Sequence, residues 1–188
     1  MSLKVEQAIA FMKEAHAGQL RKDGSPYEGH PLGVRDIALN ECPWDPDEDE
    51  EAGIILHDIV EDTDHTIDEL LGLFGMRTAG YVYQMTKDPL PEIGRYKRYQ
   101  AKLMLSDPAV KSGKLCDMMH NLRSCHLISD DYPSKEGGTL KAMNIKRCRT
   151  FGTELALSLN KYRGNWSAVR LWWDITLETE LSKFGINT

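Results

Sequence analysis

Apolar residues recur at helical spacing along most of the chain. Val5, Ala8, Ile9, Met12 and Ala15 follow an i, i+3, i+4, i+7 order, which predicts an amphipathic helix that Gly18 would end. The stretch from Arg21 to Gly29 is dense in turn formers, and Pro31 suits the first turn of a second helix running through Val34, Ile37 and Ala38. His30 therefore sits at a loop-to-helix junction. Acidic residues from Asp45 to Glu51 precede Ala52, Ile54, Ile55, Leu56, Ile59 and Val60, the order expected where carboxylates complement the positive end of a helix dipole. This third helix reads as nearly all apolar, with His57, Asp58, Glu61 and Asp62 as exceptions; ionisable groups in a buried helix as a rule have a partner or a task. Thr66-Ile67-Asp68-Glu69 then predicts a capping box opening a helix that carries Leu70, Leu71, Leu73 and Phe74.

Further helices are predicted around 76–86, 92–105, 109–127, 139–162 and 166–183, punctuated by Pro89, Pro91, Pro108, Pro133 and Gly164. No period-two pattern of a strand occurs, so the expected fold is all-α, a compact bundle of about eight to ten helices. The 188 residues fit one domain, 1–188, long enough to bury a core without disulfides. Residues 129–138 are the expected mobile surface loop.

Composition narrows the function classes. Apolar residues make up 41% and charged residues 28%, no run approaches a membrane span, and the first thirty residues lack the apolar core of a secretory signal. Cys42, Cys116, Cys125 and Cys148 lie far apart with no CxxC pair, which points to reduced thiols in the cytoplasm rather than a zinc ribbon or redox motif. A formal charge of −6 argues against general nucleic-acid binding but leaves room for a local basic cluster that grips a phosphorylated small molecule.

His57 and Asp58 place an imidazole and a carboxylate about 100° apart on one helix, within reach of one ion. His30 and Asp117 are the third and fourth candidates, and such a mixed set suits manganese, iron, cobalt or zinc. Glu61 and Asp62 lie four residues after His57 and Asp58, on the same face, where they could orient an attacking water, take its proton or protonate the leaving oxygen. Asn121 and Ser124 share a stripe with Asp117 and suit ribose or phosphate contacts, while Arg21 and Lys22 suit phosphate oxygens. His16 and His120 fall off the ligand stripe and read as core or supporting histidines; Tyr27 reads as packing beneath the loop. Trp166, Trp172, Trp173 and Phe184 read as core or as a subunit contact, which would make the protein a homo-oligomer.

Three segments carry a resemblance. The run from Ala15 to Pro31, the run Leu56-His57-Asp58-Ile59-Val60-Glu61-Asp62-Thr63, and the run Asp117-Met118-Met119-His120-Asn121-Leu122-Arg123-Ser124 resemble, in order and spacing, the hydrolase half of RelA/SpoT proteins. The resemblance covers roughly residues 5–127, leaving helices at about 139–183 to complete the bundle. It implies an HD-domain fold of the small alarmone hydrolase type, akin to the metazoan SpoT homologue and ending without a synthetase domain. It also implies a manganese ion bound by His30, His57, Asp58 and Asp117, with Glu61 and Asp62 serving hydrolysis of the 3′-pyrophosphate of (p)ppGpp to GDP or GTP plus pyrophosphate. Arg21, Lys22, Asn121 and Ser124 then fall where the family contacts nucleotide or phosphate, in the stringent response. One departure bears on the substrate: Met118 stands where the family has a basic residue. Another nucleotide (pppApp, NADPH or a deoxynucleotide) is the alternative substrate, and a non-catalytic alarmone-binding or antitoxin-like module is the alternative of another class.

Overall fold

Side chains at the helix starts set where the elements begin. In the computed structural model, which describes residues 1–88, 94–134, 137–162 and 164–186, Ser2 accepts the Val5 N–H and opens α1, Leu3–Ala15. Helix α2, Gly29–Asn40, carries Pro31 in its first turn, as predicted. Asp47 and Glu50 form a reciprocal capping box at the start of α3, Glu48–Ile55, so the acidic run caps this helix by hydrogen bonds as well as by charge. At Thr66 only half of the predicted box forms. Thr66 accepts the Glu69 N–H at the start of α5, Ile67–Phe74, whereas the Glu69 carboxylate goes to His65 Nδ1 at 2.8 Å.

The chain continues through α6, Met76–Met85, α7, Arg95–Leu105, and α8, Pro108–Ser124, the last opened by its proline. The predicted start of α7 at 92 and the punctuation at Pro89 and Pro91 lie outside the described residues. Helices α9, Leu140–Arg147, and α10, Thr153–Ser158, are joined by a π turn over Cys148–Gly152, so the predicted helix 139–162 is one interrupted rod. Helix α11, Trp166–Lys183, closes the bundle. The described residues form no strands, only the isolated bridges Leu20–Pro26 and Pro133–Thr139. The all-α expectation stands.

One expectation is corrected. The third helix is not continuous: α3 stops at Ile55 and a single turn, α4, Ile59–Asp62, follows a turn at Leu56–Asp58. The cause is local. His57 Nδ1 lies 2.7 Å from the Ile54 carbonyl oxygen and donates to it, so a side chain occupies an acceptor that the next helical N–H would otherwise use.

Two apolar clusters make the core. One gathers Val5, Ala8 and Met12 of α1 with Ala52, Ile55, Leu56, Leu70 and Val82; the other surrounds α8 and includes Val34, Tyr99, Leu115, Leu155 and Trp173. Helices α2 and α3 contribute to both, so the turn carrying His57 lies on their seam. Trp173 is fully buried in the core, whereas Phe184 is half-buried at the edge of that core and stacks on the exposed His126 at 4.0 Å. The four cysteines are free and buried. No described helix is long and apolar enough to cross a membrane.

Tyr81 packs into a notch made by Gly53 of α3 and Gly113 of α8. A methyl at Gly53 would lie 2.6 Å from its ring, and one at Gly113 would overlap its hydroxyl. Gly113→Ala is expected to cost about 1–3 kcal/mol through overpacking. Adding Tyr81→Phe should recover part of that loss, which urea denaturation of the two single variants and the double variant would read as a non-additive cycle.

Candidate active site

The break after Ile55 aims the histidine. The Ile54 carbonyl can only accept, so Nδ1 keeps its proton and Nε2, facing away from the helix, is the nitrogen that titrates and whose lone pair an ion could use. That Nε2 is buried, makes no hydrogen bond of acceptable geometry, and lies 3.1 Å from Asp58 Oδ2 and 3.8 Å from Asp117 Oδ1. His30, at the start of α2, brings its Nε2 to 3.4 Å from Asp58 Oδ2 and 3.1 Å from Asp117 Oδ1. His30, His57 and Asp58 offer ligand atoms that all lie within 4.8 Å of one another, a group that could hold a metal ion. Asp117 reaches the same point from α8.

Two nitrogens and two carboxylates buried together make a strongly polarised centre. Burial alone would push the His57 imidazole down, but the Asp58 and Asp117 charges raise it to about 9. Burial would likewise raise Asp58 and Asp117; the His57 charge beside Asp58, and the Lys114 ammonium 2.5 Å from Asp117 Oδ2, hold both far below the ordinary carboxylate range. His120, with Nδ1 at 3.0 Å from His30 Nδ1, is pushed down to about 4 by burial and by the charges of His30 and Arg21, so it stays neutral. A neutral His120 can accept from His30 Nδ1–H, which turns the His30 Nε2 lone pair toward the carboxylates.

The two residues expected to do acid–base chemistry have different surroundings. Glu61 receives both the Lys87 backbone N–H and the Lys87 ammonium at 2.6 Å. Asp62 is raised by burial and by the charge of Asp58. Its Oδ2 lies 2.5 Å from the Tyr27 hydroxyl, which is also 2.7 Å from Asp58 Oδ2. A single hydroxyl proton cannot serve two carboxylates, so a proton retained on Asp62 would complete the chain Asp62–Tyr27–Asp58. His16 stacks on Tyr27 at 4.4 Å and keeps its ring in place. Tyr27 does pack beneath the loop as expected, but its hydroxyl belongs to the site.

These groups open into one cavity of about 610 Å³. Nine of the ten expected site residues line it, namely Arg21, Lys22, His30, Asp58, Glu61, Asp62, Asp117, Asn121 and Ser124; His57 lies behind the wall. Asn121 donates to Asp117 Oδ1 at 2.6 Å and accepts from Arg21 at 3.4 Å, while Ser124 turns its hydroxyl back to the His120 carbonyl. Sequence reasoning missed Lys87, Lys114, Tyr96, Asn144 and Arg147, all cavity-lining. Lys114 was findable, being one turn before Asp117; the others come from segments without a motif. Loop 129–138 does flank the site, since Lys22 Nζ lies 6.0 Å from the Tyr132 ring centroid; its residues 135–136 lie outside the described residues.

No family model matches the chain. Over 129 residues it is 38% identical to guanosine-3′,5′-bis(diphosphate) 3′-pyrophosphohydrolase MESH1 of Mus musculus, a match spanning 62% of this chain and 66% of that protein. It is 36% identical over 141 residues to the corresponding pyrophosphohydrolase of Aquifex aeolicus, spanning 70% of this chain but only 19% of that one. A solved metazoan ortholog of SpoT, described as hydrolysing ppGpp and acting in starvation responses, superposes with TM-score 0.76 at 25% identity over 95% of this chain and 96% of its own. The chain belongs to the RelA/SpoT-type HD-domain hydrolases. The likeness to the SpoT ortholog extends over nearly its whole length, including the region past residue 127 where the motifs end.

His120 fits this centre only because residue 33 has no side chain: a methyl on Gly33 would overlap the His120 imidazole. Gly33→Ala is therefore expected to dislodge the group that orients His30. Affinity for a divalent ion should fall by about 10- to 100-fold, measured by titrating ion-free protein; unchanged affinity would show that His120 does not orient His30.

Proposed function

We propose that this chain hydrolyses the 3′-pyrophosphate of (p)ppGpp to GDP or GTP plus pyrophosphate in the cytoplasm, using one divalent ion, manganese, held by His30, His57, Asp58 and Asp117. The observation that carries the reading is the buried His57 Nε2, fixed by its partner nitrogen and unmatched by any hydrogen bond, at the meeting point of a second imidazole and two carboxylates. A bound ion would polarise a phosphoryl oxygen and acidify a water there. The protein's own groups do the rest. Asp62, with its raised proton affinity and its link through Tyr27, takes or returns the proton in the displacement. Glu61 holds Lys87 against the cavity, where it joins Arg21 and Lys22 in binding phosphate oxygens. Asn121 and Ser124 flank Asp117 and contact the nucleotide. Nucleotide is the small-molecule partner; neither nucleic acid nor membrane is expected as one. A different nucleotide is the second reading, favoured by Met118, which lines the cavity where a cation would otherwise stand.

Purified protein incubated with ppGpp and manganese should release pyrophosphate, and Asp58→Ala should release none. Asp62→Asn should lower kcat by about 10²- to 10⁴-fold. Absence of pyrophosphate release by the unaltered protein would refute the alarmone assignment.

Ion binding should also be linked to pH. In the ion-free protein His57 keeps its proton up to about 9, above its ordinary value near 6.5. The folded state then binds the proton more tightly than the unfolded one. This stabilisation is fully present below about 6.5 and is lost as pH rises through about 9. An ion must displace that proton, so its affinity should rise with pH across this window and its binding should release protons. Calorimetry in buffers of different ionisation enthalpy measures the number released; a value of zero at pH 7.5 would contradict the assignment of His57.

A further inference from the structure

Charge is unevenly spread along the chain. Helix α7 and the stretch 140–152, which holds α9 and the π turn, carry four cations each, eight of the 23 lysines and arginines in all. The same two stretches carry none of the 29 aspartates and glutamates. They meet where the Arg147 guanidinium lies 4.5 Å from the Tyr96 ring centroid, and both of these residues line the cavity. Helix α9 is fixed beside the cavity by its docking on α8, where the Cys148 thiol approaches the Met118 carbonyl at 3.7 Å. Two helices that border the cavity are thus purely cationic, on a protein whose formal charge is −6.

Part of this charge is already answered. Lys102 lies 3.3 Å from Asp88, Lys141 lies 2.6 Å from Asp130, and Arg147 is engaged with Tyr96. Lys97, Lys146 and Arg149 differ: all three are exposed, and none has an ion-pair partner among the described residues. Lys97 follows Tyr96 and Lys146 precedes Arg147, so the Cα of each lies about 3.8 Å from that of a cavity-lining residue. Each is also turned about 100° around its helix from that neighbour, and neither lines the cavity itself. A charge so placed holds no fixed partner, yet its field reaches the cavity mouth, because the Debye length is about 8 Å at physiological ionic strength.

A ligand with several phosphates meets an adverse field over most of an acidic protein, since like charges repel at the distances where diffusion decides an encounter. Segregating the cations at one place removes that difficulty. We propose that Lys97 of α7 and Lys146 of α9, with Arg149 of the π turn, form an electrostatic collar that steers a polyanionic nucleotide to the cavity mouth without touching it once bound. Arg21 and Lys22 stand in the cavity wall on another part of the chain, so the anion passes from the field of the collar to direct contacts. The collar acts on capture and not on the chemical step: it raises kcat/KM, most at low salt, and leaves kcat alone. This rests on reading the cavity as the site of a polyphosphorylated nucleotide, and it adds how an acidic protein collects one.

Salt separates steering from contact. With ppGpp and manganese, kcat and kcat/KM are measured between about 0.02 and 0.5 M NaCl, over which the Debye length contracts from roughly 20 to 4 Å. Three proteins are compared. One is the unaltered chain, and the second carries Lys97→Glu and Lys146→Glu. The third adds Glu6→Lys and Asp68→Lys, which restore the net charge at exposed positions on α1 and α5, helices of the apolar cluster away from α7. The charge-reversed pair should lower kcat/KM about tenfold or more at the lowest salt with kcat unchanged. At the highest salt it should come within about twofold of the unaltered chain. The third protein should remain as slow at low salt as the second. No deficit at low salt would overturn the proposal, as would a deficit that persists at high salt or recovery in the third protein. Calorimetric titration of the ion-free proteins with ppGpp reads the same salt-dependent difference as Kd, without turnover. That difference without pyrophosphate release would strike only the hydrolytic reading; pyrophosphate release without the difference would strike only the steering.

Discussion

The hydrogen bond from His57 Nδ1 to the Ile54 carbonyl is the constraint on which the centre depends. It ends α3, because the side chain takes a backbone acceptor that a continuing helix would need. It fixes the imidazole tautomer, because a carbonyl cannot donate. It also sends Nε2 into the seam between the two apolar clusters, where water cannot satisfy it. A histidine on an unbroken helix would have carried Nε2 along that helix's face; here the turn lets His57 and Asp58 converge with groups from α2 and α8.

The remaining architecture manages the charge gathered there. Asp117 is balanced by Lys114, which in turn rests on the buried Tyr99 ring at 5.4 Å. Lys87 covers the same ring at 5.0 Å while it engages Glu61, so one aromatic side chain supports two ammonium groups that face two carboxylates. Asp58 and Asp62 are joined by one tyrosine hydroxyl, and His16 keeps that tyrosine in place. Few of these groups could be relocated alone, since each answers a neighbour that would otherwise be left charged in a poorly solvated place.

Much of this was legible in the sequence, and the reasons differ by element. The helices showed through spacing, His57 and Asp58 showed because titratable residues interrupt an otherwise apolar helix, and His30 and Asp117 gained their weight from the three runs that resemble the hydrolase half of RelA/SpoT proteins. The break at Leu56–Asp58 did not show: apolar periodicity runs through it, and the cause is a side chain bonding its own backbone, which periodicity does not register. The half-formed cap at Thr66 failed for a comparable reason, since His65 competes for the Glu69 carboxylate. Tyr27 looked like packing because an aromatic residue in a loop says nothing of its hydroxyl partners, both more than thirty positions away. The α9 wall was invisible as a site, since Asn144 and Arg147 approach the cavity only once α9 has docked at Met118.

The cavity is thus assembled from two lengths of chain that share little sequence logic. Residues up to Ser124 carry the His–Asp centre and the charged groups around it, while α9, reached after a loop and followed by a π turn, closes the other side. A π turn accommodates an extra residue in a helix without unravelling it. The π turn lies between α9, which lines the cavity, and α10, while α11 packs into the core through Trp173. One wall is thus charged and held by buried ion pairs, the other largely apolar and held by helix packing, so a substitution in either meets a different kind of resistance from the fold.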